Sequence, residues 1–222
     1  MRAMGNGEIE RSRRIAVIGG TFDPVHYAHL LIAEDVRRRF GLSQVIFMPA
    51  GAPPHKRLDQ VSRAEDRYIM ALLATAGDPH FTVSRLEIDR PGPSYSIDTI
   101  RRLKTEAGEG SAVYWVIGAD AALEILTWHQ PDAILDEATV VVAPRPGFDL
   151  GRLDETLGAD RASKLMVTEA PLANISATMI RAMVRAGESI RYLTPPAVVD
   201  YIRKRGLYRA PAGQSPQGEP QP

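Results

Sequence analysis

The sequence predicts an α/β fold, a Rossmann-like, doubly wound and mainly parallel sheet with helices on both faces, in a single domain. Short apolar, β-branched runs alternate with segments of helical periodicity almost from end to end, and that alternation implies right-handed βαβ units. At 222 residues, the chain is long enough for one well-packed core and short for two.

Ile15 to Ile18 reads as the first strand, stopped by Gly19-Gly20. From His26 to Phe40, apolar residues recur at helical spacing (Leu30, Leu31, Ala33, Val36, Phe40), and Gly41 is a natural stop. Val45 to Met48 is the second strand, ended by Pro49 and a Gly- and Pro-rich loop up to Lys56. Ser62 to Ala76 reads as a helix, with Ser62 as N-cap and Glu65 at the capping-box spacing. Phe81 to Val83 and Leu86 to Ile88 read as strand pieces, and Ser96 to Glu106 as a helix. Val113 to Ile117 is a strongly apolar, buried strand. Thr139 to Ala143 is another, followed by the turn Pro144-Arg145-Pro146-Gly147. Lys164 to Thr168 reads as the last strand, before helices at Ser176 to Ala186 and Pro196 to Arg205. No internal repeat is visible.

Composition narrows the function. Apolar residues make up 44% and charged residues 24%, ordinary values for a folded globular chain. Lys plus Arg equals Asp plus Glu at 27 each, so no net field draws the protein to nucleic acid or an anionic membrane. Any phosphate binding must come from a local site. The absence of cysteine excludes disulfides, thiolate metal sites and cysteine nucleophiles, and suits a reducing cytosol. A cytoplasmic location is therefore expected. No apolar run approaches the roughly 20 residues of a membrane span. Residues 1–13 read as a disordered extension without the apolar segment of a secretory signal, with Met4 as an alternative start. Residues 210–222, rich in Pro, Gly and Gln, read as a disordered tail, which leaves 14–209 as the folded domain. Whether the protein is a homo-oligomer stays open.

Ligands of such folds bind beyond the carboxyl ends of the strands, which directs attention to the residues after Ile18, Met48, Ile117 and Ala143. After the first strand comes Gly19-Gly20-Thr21-Phe22-Asp23-Pro24-Val25-His26-Tyr27-Ala28-His29. Paired glycines permit a tight turn and a close approach of phosphate to the backbone. A helix beginning near His26 points its free N–H groups and positive dipole end into the same space. His26 and His29, three apart, project from one face of its first turn. The segment is not a P-loop, because no Gly-Lys-Ser/Thr ends it, and it lacks the third glycine of the dinucleotide fingerprint. A zinc site would need a third ligand at a suitable spacing, and none is found. From spacing alone, a phosphate-binding turn and a Gly turn with two incidental histidines remain equal alternatives.

Gly19 to His29 resembles the HxGH-type motif of the nucleotidyltransferase superfamily related to class I aminoacyl-tRNA synthetases, with Ala28 in place of the usual glycine. Asn174-Ile175-Ser176-Ala177-Thr178-Met179-Ile180-Arg181 resembles its second motif, ISSTxIR, with Ala177 for the second Ser. Ser176 is a good N-cap, Ser176 and Thr178 can reach phosphate oxygens, and the planar fork of Arg181 suits phosphate. Between the motifs the resemblance narrows to the bacterial nicotinate-nucleotide adenylyltransferases, over roughly Arg14 to Tyr208. Pro53-Pro54-His55-Lys56, Pro93-Ser94-Tyr95-Ser96-Ile97-Asp98-Thr99, Ile117-Gly118-Ala119-Asp120 with Trp128, Arg145-Pro146-Gly147 and Gly206-Leu207-Tyr208-Arg209 carry it.

The resemblance implies transfer of AMP from ATP to nicotinate mononucleotide in NAD synthesis. It implies His26, His29 and Arg181 as catalytic residues, with Gly19, Gly20, Thr21, Phe22, Gly118, Asp120, Ser176 and Thr178 around ATP. Gly118 lets adenine lie against the backbone, and Asp120 accepts from ribose hydroxyls. Lys56, Ser96, Trp128 and His129 are the expected mononucleotide contacts: Trp128 as a flat face for the pyridine ring, the amides of Ser96 and His129 for its carboxylate, and Lys56 for the phosphate. Mg²⁺ is expected to be held mainly through ATP, with no metal ligands of the protein's own. Transfer to nicotinamide mononucleotide or phosphopantetheine, cytidylyl transfer, and a non-catalytic nucleotide-binding module are the alternatives.

Overall fold

In a computed structural model of the chain, residues 13–51, 61–145, 147–170 and 173–209 are described. The expected disordered termini (apart from Arg13), Lys56 with Pro53, Pro54 and His55, and Pro146 all lie outside those residues.

Six strands form one sheet: β1 (Arg14–Gly20), β2 (Gln44–Pro49), β3 (Phe81–Val83), β4 (Ala112–Gly118), β5 (Thr139–Ala143) and β6 (Met166–Val167). They pair in the order β3-β2-β1-β4-β5-β6, and every pair is parallel. The sheet expected to be mainly parallel is parallel throughout the described residues. The helices are α1 (Tyr27–Arg39), α2 (Ala64–Thr75), α3 (Ser96–Ala107), α4 (Ala119–Leu123), α5 (Pro131–Glu137), α6 (Gly151–Leu157), α7 (Ala159–Ala162), α8 (Ala177–Arg185) and α9 (Pro196–Arg205).

Alternate strand residues feed two separate cores. Ile15, Val17, Met48, Val113, Trp115, Val140 and Val142 meet α3 to α6 through residues such as Ile97, Ile100, Ile134 and Leu153. Ala16, Ile18, Phe47, Tyr114, Val116 and Val141 meet α1, α2, α8 and α9 through Val36, Met70, Ile180 and Ile202. Because both faces are covered, the strands read as unbroken apolar runs instead of alternating ones. Each fully buried Val, Ile or Leu contributes about 1.5–3 kcal/mol of transfer free energy.

Local signals set most boundaries. Gly41 ends the α1 segment with a left-handed φ of 58°, a conformation glycine adopts without steric cost. Ile97, Ile100 and Leu103 give α3 one buried stripe at helical spacing. Three expectations fail. Leu86 to Ile88 forms a turn, not a strand: the last ladder bond of that edge is Ser84 N–H to the Phe47 carbonyl, 2.9 Å. Ser62 does not cap α2, which starts at Ala64 with Arg63 in the cap position. The Ser62 amide instead donates to the Asp23 carboxylate, 3.2 Å, and Glu65 pairs with Arg85, 2.9 Å. The last strand contracts to Met166–Val167, although the Thr168 N–H still reaches the Val142 carbonyl, 3.0 Å. Four short helices, α4 to α7, are additional.

The strand order reverses at β1, whose neighbours are β2 and β4. The β1–β4 ladder ends at Ile18 opposite Val116. Beyond it, Gly19 and Gly20 stay with β2, while Ile117 and Gly118 stay with β5. The sheet therefore opens into a crevice at its carboxyl end, where a doubly wound fold takes its ligand.

The end of β2 is held by a close contact. A Cβ on Gly51 would stand 2.3 Å from the Glu87 carbonyl oxygen, so the turn at Leu86–Ile88 packs directly on this glycine. Gly51→Ala is expected to lower the unfolding free energy by about 2 kcal/mol. A shifted urea midpoint with an unchanged slope is the observation that checks it.

Candidate active site

The phosphate-type turn is built differently from the sequence expectation. Gly19 and Gly20 belong to the end of β1, and neither adopts a left-handed φ; Phe22 does, at 50°. A Cβ on Gly20 would press on the Phe22 ring at 3.3 Å, so Gly20 makes room for Phe22 and the turn itself lies further on. Phe22 is buried and meets the His29 ring edge-on, with centroids 5.0 Å apart. A left-handed non-glycine residue costs about 1–2 kcal/mol and persists where packing over-determines it.

His26 is the N-cap of α1, not its first residue. Its ring stacks on that of His29, with centroids 3.8 Å apart and planes 26° from parallel. The His26 backbone N–H donates to His29 Nδ1, 3.1 Å. An accepting Nδ1 places the proton of a neutral imidazole on Nε2, so His29 offers an N–H in a fixed direction. Burial, aided by the Arg145 charge, lowers the pKa of His26 to about 4. Burial, then His26 and Arg145, hold His29 well below the ordinary imidazole value. Both rings are neutral at pH 7. As neutral rings they act as hydrogen-bond donors, not as charges.

Arg181 joins the two motifs. From α8 its Nη1 donates to the Asp23 carbonyl, 2.7 Å, and its Nη2 to Thr178 Oγ1, 3.2 Å. Ser176 caps the helix as expected, accepting from the Met179 N–H, 3.1 Å. The hydroxyls of Ser176 and Thr178 thus act as acceptors here and keep their protons for donation. Behind the turn lies a charge that local sequence does not announce. Arg67, 1% exposed, donates to the carbonyls of Ser62, Thr21 and Gly51 at 3.0, 2.9 and 3.1 Å. Burial lowers its pKa, against the opposing pull of Asp23 and Tyr208. Asp23 in turn accepts from the Tyr208 hydroxyl, 2.6 Å.

Across the crevice, Gly118 ends β4 exposed, and nothing lies within 4 Å of where its side chain would project. Asp120 is exposed and pairs with Arg145 at 3.1 Å. Arg145 is the residue that sequence reading passed over: it follows β5, in a stretch already singled out, and its charge faces both histidines. Among the described residues no group of three or more His, Asp or Glu side chains could hold a metal ion.

The expected acceptor residues gather around the start of α3. Ser96 opens that helix, so its amide is among the unpaired first ones. Tyr95, just before it, packs its ring on that of His129, with centroids 4.4 Å apart. Trp128 rests part of its surface on the core beneath β4 and α3 and keeps the rest accessible. Tyr95 is a further aromatic candidate, visible in its motif but not weighed there. Lys56 lies outside the described residues.

The buried imidazole generates a pH dependence. The folded pKa of His26, about 4, lies below the ordinary 6.5, so the unfolded chain takes the proton first. The stability gained from keeping this ring neutral is complete above pH 6.5 and is lost as pH falls toward 4. Between pH 7 and pH 4.5 the protein is expected to lose about 2 kcal/mol more stability than its His26→Asn variant. Equal losses in urea titrations would mean that the ring is not buried uncharged.

Comparison with known proteins now bears on this geometry. Residues 17–183 match the family model described as cytidylyltransferase-like. A relative from Moorella thermoacetica, named "Probable nicotinate-nucleotide adenylyltransferase", is 48% identical over 90% of this chain and 94% of its own. One from Saccharopolyspora erythraea with the same name is 46% identical over 90% and 92%. Among solved structures, the Plasmodium falciparum nicotinic acid mononucleotide adenylyltransferase complexed with NaAD superposes with a TM-score of 0.71 at 19% identity, covering 88% of this chain and 97% of its own. At that identity the likeness speaks for the fold. With the relatives it completes the assignment: this chain is a nucleotidyltransferase that belongs to the nicotinate-nucleotide adenylyltransferase family.

Proposed function

We propose that the protein transfers the adenylyl group of ATP to nicotinate mononucleotide, giving nicotinate adenine dinucleotide and pyrophosphate. The observation that supports this reading is that the stacked His26–His29 pair and the Arg181 fork meet at the turn after β1, while Tyr95 packs on His129 at the start of α3, a helix that also begins at the carboxyl end of the sheet.

A phosphate oxygen of the mononucleotide attacks the α-phosphorus of ATP in line. The new P–O bond forms as the bond to the bridging oxygen of the β-phosphate breaks, and pyrophosphate leaves with the electron pair. The nucleophile is already an anion near neutral pH, so no strong base is needed. Positioning and charge stabilisation are the protein's task. The Nε2–H of His29, the imidazole of His26 and the free guanidinium N–H groups of Arg181 donate to phosphate oxygens as charge shifts. Gly19, Gly20, Thr21 and Phe22 shape the turn beneath them, and Ser176 and Thr178 add hydroxyl donors. Adenine lies against bare Gly118, and its ribose takes Asp120 in exchange for Arg145, which is then free to meet phosphate. Trp128 and Tyr95 stack the pyridine ring, the amides of Ser96 and His129 bind its carboxylate, and Lys56 meets the mononucleotide phosphate. The donors around the turn are imidazole and guanidinium N–H groups, which do not ligate a hard cation. Mg²⁺ would accordingly be held through ATP and not by side chains of the protein, and there it would supply charge neutralisation.

Pyrophosphate release from ATP and Mg²⁺ tests the reading with nicotinate mononucleotide, nicotinamide mononucleotide and phosphopantetheine as acceptors. The nicotinate acceptor is expected to be strongly preferred. Release with another acceptor would discard the pocket around Trp128, and release with none would leave a binding module. His29→Ala is expected to cut turnover by about 10²-fold or more in a protein that still unfolds cooperatively in urea, and near-normal turnover would remove His29 from the mechanism. Trp128→Ala is expected to raise the KM for the mononucleotide by about tenfold and leave the KM for ATP in place.

A further inference from the structure

The end of the described chain reaches back to the phosphate turn. After α9, Gly206 and Tyr208 take left-handed φ values, both 64°, which redirect the chain inward. Glycine does this freely, whereas tyrosine does it at a cost of about 1–2 kcal/mol. What offsets the cost is the contact that results. The Tyr208 hydroxyl donates to the Asp23 carboxylate at 2.6 Å across 185 residues of sequence. Asp23, 2% exposed, also accepts from the Ser62 N–H at its other carboxylate oxygen, 3.2 Å. The carbonyl of the same residue accepts from Arg181, 2.7 Å. Asp23 is thus held from two sides, by Tyr208 and by Ser62, and its backbone is a seat for the arginine.

We propose that Tyr208 is a positioning residue for adenylyl transfer: by fixing the Asp23 carboxylate it sets the carbonyl on which Arg181 rests, and with it the direction in which that guanidinium meets phosphate. The inference rests on the reading that Arg181 acts on the phosphates. Two further observations support it. The contact joins left-handed Tyr208 to Asp23, the residue that follows left-handed Phe22, and such strain gathers where geometry is functional. Burial, and then the Asp23 charge beside it, push the Tyr208 hydroxyl well above the ordinary tyrosine value, so it stays a donor through the working pH range. The neighbouring ties of α9, from Tyr201 and Arg205 to Asp66 at 2.8 and 3.3 Å, anchor the helix separately. Loss of the one hydroxyl therefore does not release α9.

Tyr208→Phe keeps the ring and its packing and removes the donor. In steady-state assays its kcat is expected to fall about 10- to 100-fold, the scale of a misplaced catalytic group, with the KM for nicotinate mononucleotide within about twofold of wild type. The discriminating measurement is a double-mutant cycle with Arg181→Lys, which keeps a charge but loses the fork. If Tyr208 acts through Arg181, Tyr208→Phe costs little further kcat in the Arg181→Lys background, while urea unfolding shows both variants still folded. A kcat that falls by the same factor in both backgrounds marks a merely structural role and overturns the proposal. So does a wild-type kcat for Tyr208→Phe when Arg181→Lys is impaired. If Arg181→Lys itself turns over normally, the reading of Arg181 fails first and the role of Tyr208 goes with it.

Discussion

One ladder decides where this protein works. The hydrogen bonds between β1 and β4 stop at Ile18 and Val116, while each strand continues for two residues beside its other neighbour. A parallel sheet cannot cover that gap with its own backbone, so loops and helix starts must line it. The loop after β1 carries the histidines, the end of β4 carries bare Gly118 and Asp120, and the end of β5 carries Arg145. Helices α3 and α8 begin at the same end and add Tyr95, Ser96, Ser176 and Arg181. Residues far apart in sequence become neighbours because right-handed connections bring each new helix start to the carboxyl edge.

The electrostatics of the crevice follow from a chain without net charge. With no long-range field to gather anions, what the crevice can offer an anion is short-range. It consists of an arginine fork, a second arginine balanced by Asp120, and two imidazoles kept neutral by burial. Neutral rings beside a cation avoid self-repulsion in the empty site and still present directed N–H groups. Arg67, a buried charge, spends its donors on three backbone carbonyls. That arrangement satisfies a buried guanidinium and stiffens the turn that faces the ligand.

What the sequence reveals and what it hides divide along physical lines. Strands β1, β2, β4 and β5 are legible because burial on both faces leaves continuous β-branched runs. Helices α1, α3 and α9 are legible because one buried stripe repeats at helical spacing. Gly41 and Ser176 mark ends through their own backbone and side-chain chemistry. Helices α4 to α7 have four to seven residues each, too few turns for a period to show. Leu86 and Ile88 have the alternation of a strand but belong to a turn seated on Gly51. Ser62 has the look of a cap, and its amide is drawn instead to Asp23, a partner 39 residues away. The histidines, Arg181 and the Tyr95–His129 neighbourhood lie in motifs. Arg67 lies in no motif, and Tyr208 lies in one that gives it no role, because both work through contacts that exist only after folding.

The meeting of Asp23 with Arg181 and Tyr208 has a bearing on how the molecule is made. Asp23 leaves the ribosome early, and the residues that seat it are among the last of the described chain to be synthesised. The hydrogen-bonded ladders β1–β2 and β1–β4 use no residue beyond Gly118, whereas one face of those strands is covered only once α8 and α9 add Ile180 and Ile202. The turn after β1 can receive Arg67 early, but the contacts of Arg181 and Tyr208 with Asp23 wait until α8 and α9 have emerged. The ladders at the centre of the sheet thus precede in synthesis the side chains that complete one of its two cores and the turn at its carboxyl end.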